Sequence, residues 1–328
     1  MSMEFRTLGR TGTLVSTLCL GTMTFGAETD SAGSHAQLDR FVERGGNFVD
    51  TADVYSRGVS EQIIGDWLRA RPDARDGLVI ATKGRFPMGE GRNDLGLSRT
   101  HLSRALDASL KRLQTDRVEI LYLHMHDPLV PVEEAMRALE DAVRAGKVLY
   151  PAISNWSAWQ VQQALGVQDA NNWARIQAIQ PMYNLVKRQA EVELLPMAQA
   201  NGVSVFPYSP AGAGLLSGKY LEKKSQGRLV ANKMYTARYG EAWMHEVAEK
   251  YVAFCKSRGL HPVSAAVAWV GAHPGVTAPI IGARSVQQLQ ASLDSVKIEM
   301  GQALWNELAA LSRTPAPATD RLEEQKKS

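Results

Sequence analysis

The chain has 328 residues, 45% of them hydrophobic and 22% charged, which excludes a wholly disordered polypeptide and allows two ordinary domains or one large α/β barrel. Lys and Arg number 37 against 34 Asp and Glu, a formal net charge of +3, too near neutral for a nucleic-acid or membrane-surface protein. No apolar run approaches the roughly 20 residues of a membrane span, the first residues lack a signal peptide's apolar core, and Cys19 and Cys255 read as buried free thiols of a cytoplasmic protein.

In chain order, residues 5–8 and 13–16 flank a turn at 9–12, which predicts a short β-hairpin capping one end of the fold. Apolar runs rich in Val, Ile and Leu then predict strands at 18–22, 47–50, 78–83, 118–124, 148–154, 178–181, 203–207 and 278–282. Between them the helical period is plain: Leu102, Leu106, Leu110 and Leu113 share one face, as do Ala135, Leu139, Ala142 and Val143. Further helices are expected over 157–165, 187–200, 240–257 and 262–272, with another from about Val286 and a helical C-terminal tail. Ser98 and Ser157 are N-cap candidates, and Gly77, Gly146 and Gly202 stand where helices should stop. Residues 85–97 and 228–240 read as loops over the site, and the segment from 314 as a surface tail. Eight strands alternating with helices mean a parallel sheet covered by helices, doubly wound or closed into a barrel. The count of eight and the lack of any linker favour a single (β/α)8 TIM barrel over residues 1–328 rather than a doubly wound sheet.

Two phosphate-loop readings of residues 211–219 fail. Ala213 occupies a position where a P-loop needs Gly, and Tyr220 follows Lys219 where Ser or Thr should meet magnesium. The dinucleotide fingerprint Gly212-x-Gly214-x-x-Ser217 is also incomplete. A glycine-rich segment after a strand still suits backbone contact with phosphate.

Asp50, Lys83 and His124 close three predicted strands, and Tyr55 follows Asp50 in the next loop. In a parallel barrel all C-terminal strand ends gather on one face, so these four converge. A phenol with a pKa near 10 is a poor proton donor at neutral pH. A neighbouring ammonium lowers that pKa, a carboxylate holds the ammonium charged, and a neutral imidazole orients a substrate oxygen.

At these residues the sequence resembles the aldo-keto reductase family, most closely its bacterial aryl-alcohol-dehydrogenase-like branch. The resemblance is carried by Gly45-Gly-Asn-Phe-Val-Asp-Thr-Ala-Asp-Val-Tyr55, Ala81-Thr-Lys83, Leu123-His124, Ile153-Ser-Asn155, Gln180-Pro-Met-Tyr-Asn184, Pro207-Tyr-Ser-Pro210, Gly214-Leu-Leu-Ser-Gly-Lys-Tyr220 and Pro279-Ile-Ile-Gly-Ala-Arg284. It implies a barrel that binds NADP(H) and reduces aldehydes or ketones, or runs backward as an alcohol dehydrogenase. Tyr55 would be the general acid, Lys83 and Asp50 its pKa-setting pair, and His124 the substrate-orienting group. Gly21, Thr22, Met23 and Asp50 would face the nicotinamide ribose and diphosphate side, Ser154, Asn155 and Gln180 the carboxamide, and Tyr208 the ring. Ser209, Pro210, Ala211, Gly212 and Gly214 would meet the diphosphate; Lys219, Arg228, Gly282, Arg284, Gln288 and Ser292 the adenosine end. Arg284, ahead of a helix start and with no acidic residue between Gly282 and Ser292, suits a 2′-phosphate.

His126 reads equally as pocket lining or a solvated loop residue, Trp156 as pocket wall or packing, and Trp159 as packing. A cofactor-sensing subunit like the channel-associated relatives is the alternative function; those relatives tend to lack the histidine that stands here at His124.

Overall fold

The computed structural model describes residues 3–221, 229, 232–321 and 323. Its first two strands, β1 (Phe5–Thr7) and β2 (Leu14–Ser16), pair antiparallel as the expected hairpin. Eight parallel strands follow: β3 (Cys19–Gly21), β4 (Phe48–Asp50), β5 (Val79–Gly84), β6 (Val118–Leu123), β7 (Val148–Ser154), β8 (Ala178–Gln180), β9 (Ser204–Val205) and β10 (Ile280–Ile281). Each pairs with the next around the sheet, and β10 returns beside β3. The ring closes between β9 and β10. Val205 O accepts from Thr277 N at 2.9 Å, and Ile280 N donates to Pro207 O at 2.9 Å. The fold is a (β/α)8 TIM barrel.

The last two strands are shorter than the sequence suggests because Pro207 and Pro279 have no N–H to give to a ladder. The helices are α1 (Ser31–Glu43), α2 (Val59–Arg69), α3 (Arg99–Leu113), α4 (Val132–Arg144), α5 (Ala158–Ala170), α6 (Leu194–Asn201), α7 (Lys233–Tyr239), α8 (Ala242–Ser257), α9 (Pro262–Gly271), α10 (Val286–Leu293) and α11 (Gln302–Ala309). Ser98 caps α3 by accepting from His101 N, Ser157 and Gln160 form a capping box at α5, and Gly202 ends α6 at φ 64°. The helix expected over 187–200 is a correction. A 3₁₀ turn at Gln189–Glu191 comes first, and α6 starts only at Leu194. Pro196 explains this: a proline is tolerated in a helix's first turn but would clash with a carbonyl four residues back in a longer one. The loop expected over 228–240 is also corrected, since α7 occupies its second half, capped by the Asn232 side chain on Met234 N. Arg228 lies outside the described residues.

Strand alternation divides the buried side chains into two layers. Leu20, Val49, Ile80, Leu121, Leu123 and Ile179 point outward and pack under the helices. Cys19, Phe48, Val79, Ala81, Ile120, Tyr122, Ala178 and Phe206 point inward, and Leu8 and Val15 from the hairpin close the floor beneath them. Phe48 and Phe206 meet edge to face at 4.7 Å. Cys19 and Cys255 are both buried and free. Among the described residues, no helix is long and apolar enough to cross a membrane.

Candidate active site

Continuing the inward parity by one step past the apolar layer gives Asp50 on β4, Lys83 on β5, His124 just beyond β6, Ser154 on β7, Gln180 on β8 and Tyr208 beyond β9. All therefore face one mouth. Lys83 is fully buried and donates to Asp50 Oδ2 at 2.6 Å and to Thr51 O at 2.7 Å. Gln180 Nε2 donates to the other Asp50 oxygen at 2.9 Å, so the carboxylate is held on both sides. Burial alone would drive a proton off the Lys83 ammonium, but Asp50 and then Tyr55 outweigh it, and Lys83 stays charged with its pKa raised.

Tyr55 reaches this pair from a loop. Ser56 and Arg57 both adopt left-handed backbone, φ 49° and 52°, in the 3₁₀ turn Tyr55–Gly58, and Ser56 Oγ donates to Phe25 O at 2.8 Å. Non-glycine residues in that region cost of order 1 kcal/mol each. The turn brings the phenol back over the barrel, with its oxygen 3.3 Å from Lys83 Nζ. The expectation that Lys83 leaves Tyr55 with a lowered pKa is corrected. Burial raises the phenol above its ordinary value and Lys83 pulls it down only in part.

His124 lies edge to face with Tyr55 at 5.9 Å between ring centroids and with Phe86 at 4.9 Å. Its Nδ1 is buried and has no partner among the described residues. Burial first, then Lys83 and Arg85, hold its pKa well below the ordinary imidazole value, so it is neutral. The four residues thus present a phenol, a fixed ammonium, a carboxylate anchor and an uncharged imidazole at one mouth.

Beside them, Asn155 takes left-handed backbone at φ 58°, accepts from Tyr208 OH at 2.8 Å and donates to His124 O and to Ser154 Oγ, each at 2.9 Å. Ser154 Oγ donates to Gln180 O at 2.9 Å. Thr22 is buried, its hydroxyl 3.1 Å from Asp50 O and 2.8 Å from Ser60 Oγ. Met23 Sδ accepts a contact from Tyr235 OH at 3.8 Å. A Cβ on Gly21 would stand 2.6 Å from Ile280 Cγ2, so only glycine fits that rim position.

Ser209 at φ 60°, with Pro210 and Ala211, leads into a turn at Gly212–Ser217, where Gly212 and Gly214 have φ 59° and 90°. Lys219 folds back over Gly214, where a Cβ would meet its Nζ at 2.9 Å. The segment is a bent 3₁₀ turn and not a P-loop. Gly282 is exposed, and Arg284 N donates to Gln288 Oε1 at 3.2 Å at the N-terminus of α10. Ser292 is buried one turn beyond Gln288. An acidic neighbour does reach Arg284 from elsewhere in the chain: Glu28 Oε1 lies 3.8 Å from its guanidinium.

Trp156 is buried and packs edge to face with His126 at 4.9 Å, whereas Trp159, expected to pack, is 65% exposed. Sequence reasoning missed Arg85, which extending the strand at 78–83 by one inward step would have flagged, and Phe86 next to it. It also missed Asp53, buried with both oxygens unpartnered among the described residues. A cavity of about 430 Å³ lies off this centre, between Met182, Trp243 and Arg313; the convergent polar groups sit at the barrel mouth instead.

A parallel barrel with this mouth is the architecture of an oxidoreductase class, and the chain belongs to it: the sequence model of the Aldo/keto reductase family matches residues 17–313. The chain is 38% identical over 310 residues to the "Uncharacterized oxidoreductase YrpG" of Bacillus subtilis, covering 92% of this chain and 94% of that protein. It is 33% identical to "Protein tas" of Escherichia coli over 96% of this chain and 100% of that protein. It is likewise 33% identical to a "Probable voltage-gated potassium channel subunit beta" of Arabidopsis thaliana, covering 90% and 92%.

Proposed function

We propose that this family member is an NADP(H)-dependent reductase of aldehyde or ketone carbonyls, reversible toward alcohol oxidation. The observation that carries the reading is the Tyr55 phenol 3.3 Å from an ammonium that is itself fixed by Asp50 and Thr51 O. Tyr55 gives its proton to the carbonyl oxygen. The phenolate left behind is stabilised by Lys83, whose position is set before the reaction begins and needs no reorganisation during it. His124, neutral, hydrogen-bonds the same oxygen and fixes which face of the carbonyl is presented. In the reverse direction the phenolate takes the alcohol proton.

The residues present fit a nicotinamide dinucleotide, which when bound supplies the hydride to the carbonyl carbon. The positive-φ turn at Gly212 and Gly214, in the glycine-rich segment that follows β9, suits backbone contact with the diphosphate. Ser154, Asn155 and Gln180 form one polar patch suited to a carboxamide, and the Tyr208 ring suits the planar heterocycle. Arg284 and the N-terminus of α10 suit the adenosine 2′-phosphate.

The relatives named as channel subunits favour a second reading, an NADP(H)-binding sensor with little turnover. NADPH oxidation measured against a panel of aldehydes, ketones and quinones separates the two. Turnover on any of them supports the reductase; tight NADPH binding with no turnover on all of them supports the sensor.

A further inference from the structure

Arg85 is a charged side chain at the barrel mouth for which the chemistry above has no use. Lys83 pairs with Tyr122 and Gly84 with Leu123 in the β5–β6 register, and His124 N donates to Gly84 O at 3.1 Å. Arg85, the residue that follows β5, therefore lies beside His124, and continued strand parity turns it to the same inner side as Lys83. Its backbone oxygen is tied down by Gly96 N at 2.7 Å.

Its side chain is another matter. Among the described residues no carboxylate pairs with it and no acceptor meets it, and Nε is buried without a partner. Buried donors without acceptors are rare and call for a reason. Arg85 stands over the Phe86 ring, whose centroid is 5.3 Å from the guanidinium carbon. A ring face interacts with the guanidinium plane and leaves its in-plane N–H donors free. The same ring borders His124 at 4.9 Å, so one phenyl group connects the carbonyl-binding imidazole to the unpaired cation.

Among the described residues, no carboxylate oxygen lies within 4 Å of the Arg85 guanidinium nitrogens. Lys83 is paired with Asp50 at 2.6 Å, whereas Arg85 has no such pair among the described residues. It stands three strands round from β10, away from Arg284. A planar guanidinium fork with free donors matches a carboxylate in geometry as well as charge.

We propose that Arg85 is a substrate-binding residue that anchors a carboxylate, and that the preferred substrates are carbonyl compounds carrying a carboxylate across a flat, ring-sized spacer that lies against Phe86. This rests on the carbonyl-reduction reading. The matched probes are 4-carboxybenzaldehyde and 4-methylbenzaldehyde, alike in shape and different in charge.

The ratio of kcat/KM for the charged over the neutral aldehyde should favour the carboxylate by about tenfold or more in the wild type, the range of one charge-assisted contact. In Arg85→Met that ratio should collapse by about the same factor, through KM for the charged aldehyde. Arg85→Lys should retain part of it, and added salt should erode it in the wild type. A wild-type ratio near one, or the same ratio in Arg85→Met, overturns the proposal. If neither aldehyde is reduced, the wider carbonyl panel decides the carbonyl-reduction reading, and calorimetric binding of 4-carboxybenzyl alcohol against 4-methylbenzyl alcohol to the NADPH-loaded protein decides the Arg85 assignment. Preference for the acid that is lost in Arg85→Met sustains it; equal binding overturns it.

Discussion

Two residues of travel along the same strands separate the floor of this barrel from its mouth. Phe48, Ala81, Tyr122 and Ala178 precede Asp50, Lys83, His124 and Gln180, with the same inward parity in each strand. The floor is stabilised chiefly by apolar area removed from water, at roughly 25 cal/mol per Å², and its hydrocarbon side chains need no particular partner. The mouth buries an ion pair and an imidazole, which is unfavourable unless each group is matched, and Asp50 is matched on both oxygens. Floor residues should therefore be replaceable at a cost in stability alone, and mouth residues at a cost in chemistry.

That contrast can be broken most forcefully at its two ends. Phe48→Ala should lower stability by about 3–5 kcal/mol, read as a fall in Tm, with turnover per folded molecule unchanged. Lys83→Met should cost up to about 3–5 kcal/mol because it strands Asp50, and should remove most activity as well. Adding Asp50→Asn should recover stability and leave activity low; recovery of both would make the pair structural. Residual alcohol oxidation by Lys83→Met should also need higher pH. Lys83 pulls the Tyr55 pKa down against burial, and without it the phenolate forms later.

A smaller effect is expected at Arg284. Its substitution by Ala should weaken NADPH binding by about tenfold and NADH binding much less, as calorimetric dissociation constants would show. The partial exposure of Arg284 and the proximity of Glu28 place the effect at the low end of the range for a charge-assisted contact. Equal loss for both cofactors contradicts the assignment.

The smallest effect concerns Asp53. Burial, with Glu61 adding to it, pushes its carboxyl up to about 7, above the roughly 3.9 of an unfolded chain. Between these values the folded state holds a proton that the unfolded state has lost, so this site's contribution to stability falls as pH rises through about 4 to 7 and stays low above it. Asp53→Asn removes the titration, and its Tm should gain on wild type by a few degrees between pH 5 and pH 8. A constant difference across that range would show that Asp53 does not titrate there.

The floor and the mouth were not equally legible in the sequence. The barrel was readable because each strand is a nearly unbroken apolar run and each helix has its own period. Asp50, Lys83 and His124 stood out because a charged or polar residue ends such a run. Arg85 and Asp53 did not stand out, because each lies just beyond a run and looks like the start of a loop. The β5–β6 register, continued by the bond from His124 N to Gly84 O, places Arg85 beside His124 at the barrel mouth. Glu28 near Arg284 was invisible for a different reason: the two are far apart in sequence, and no local pattern reports such a contact. The late start of α6 was legible in principle through Pro196, but the apolar pattern upstream of it outweighed that signal.

The central claim is that Tyr55 is the proton donor and takes no part in holding the fold or the cofactor. Tyr55→Phe tests it most directly, because it deletes one oxygen and keeps the ring against His124 and Lys83. Measured together on an active carbonyl substrate, turnover should fall by at least about a hundredfold, while the NADPH dissociation constant and Tm stay close to wild type. Turnover near wild type on every substrate the native protein reduces would contradict the account.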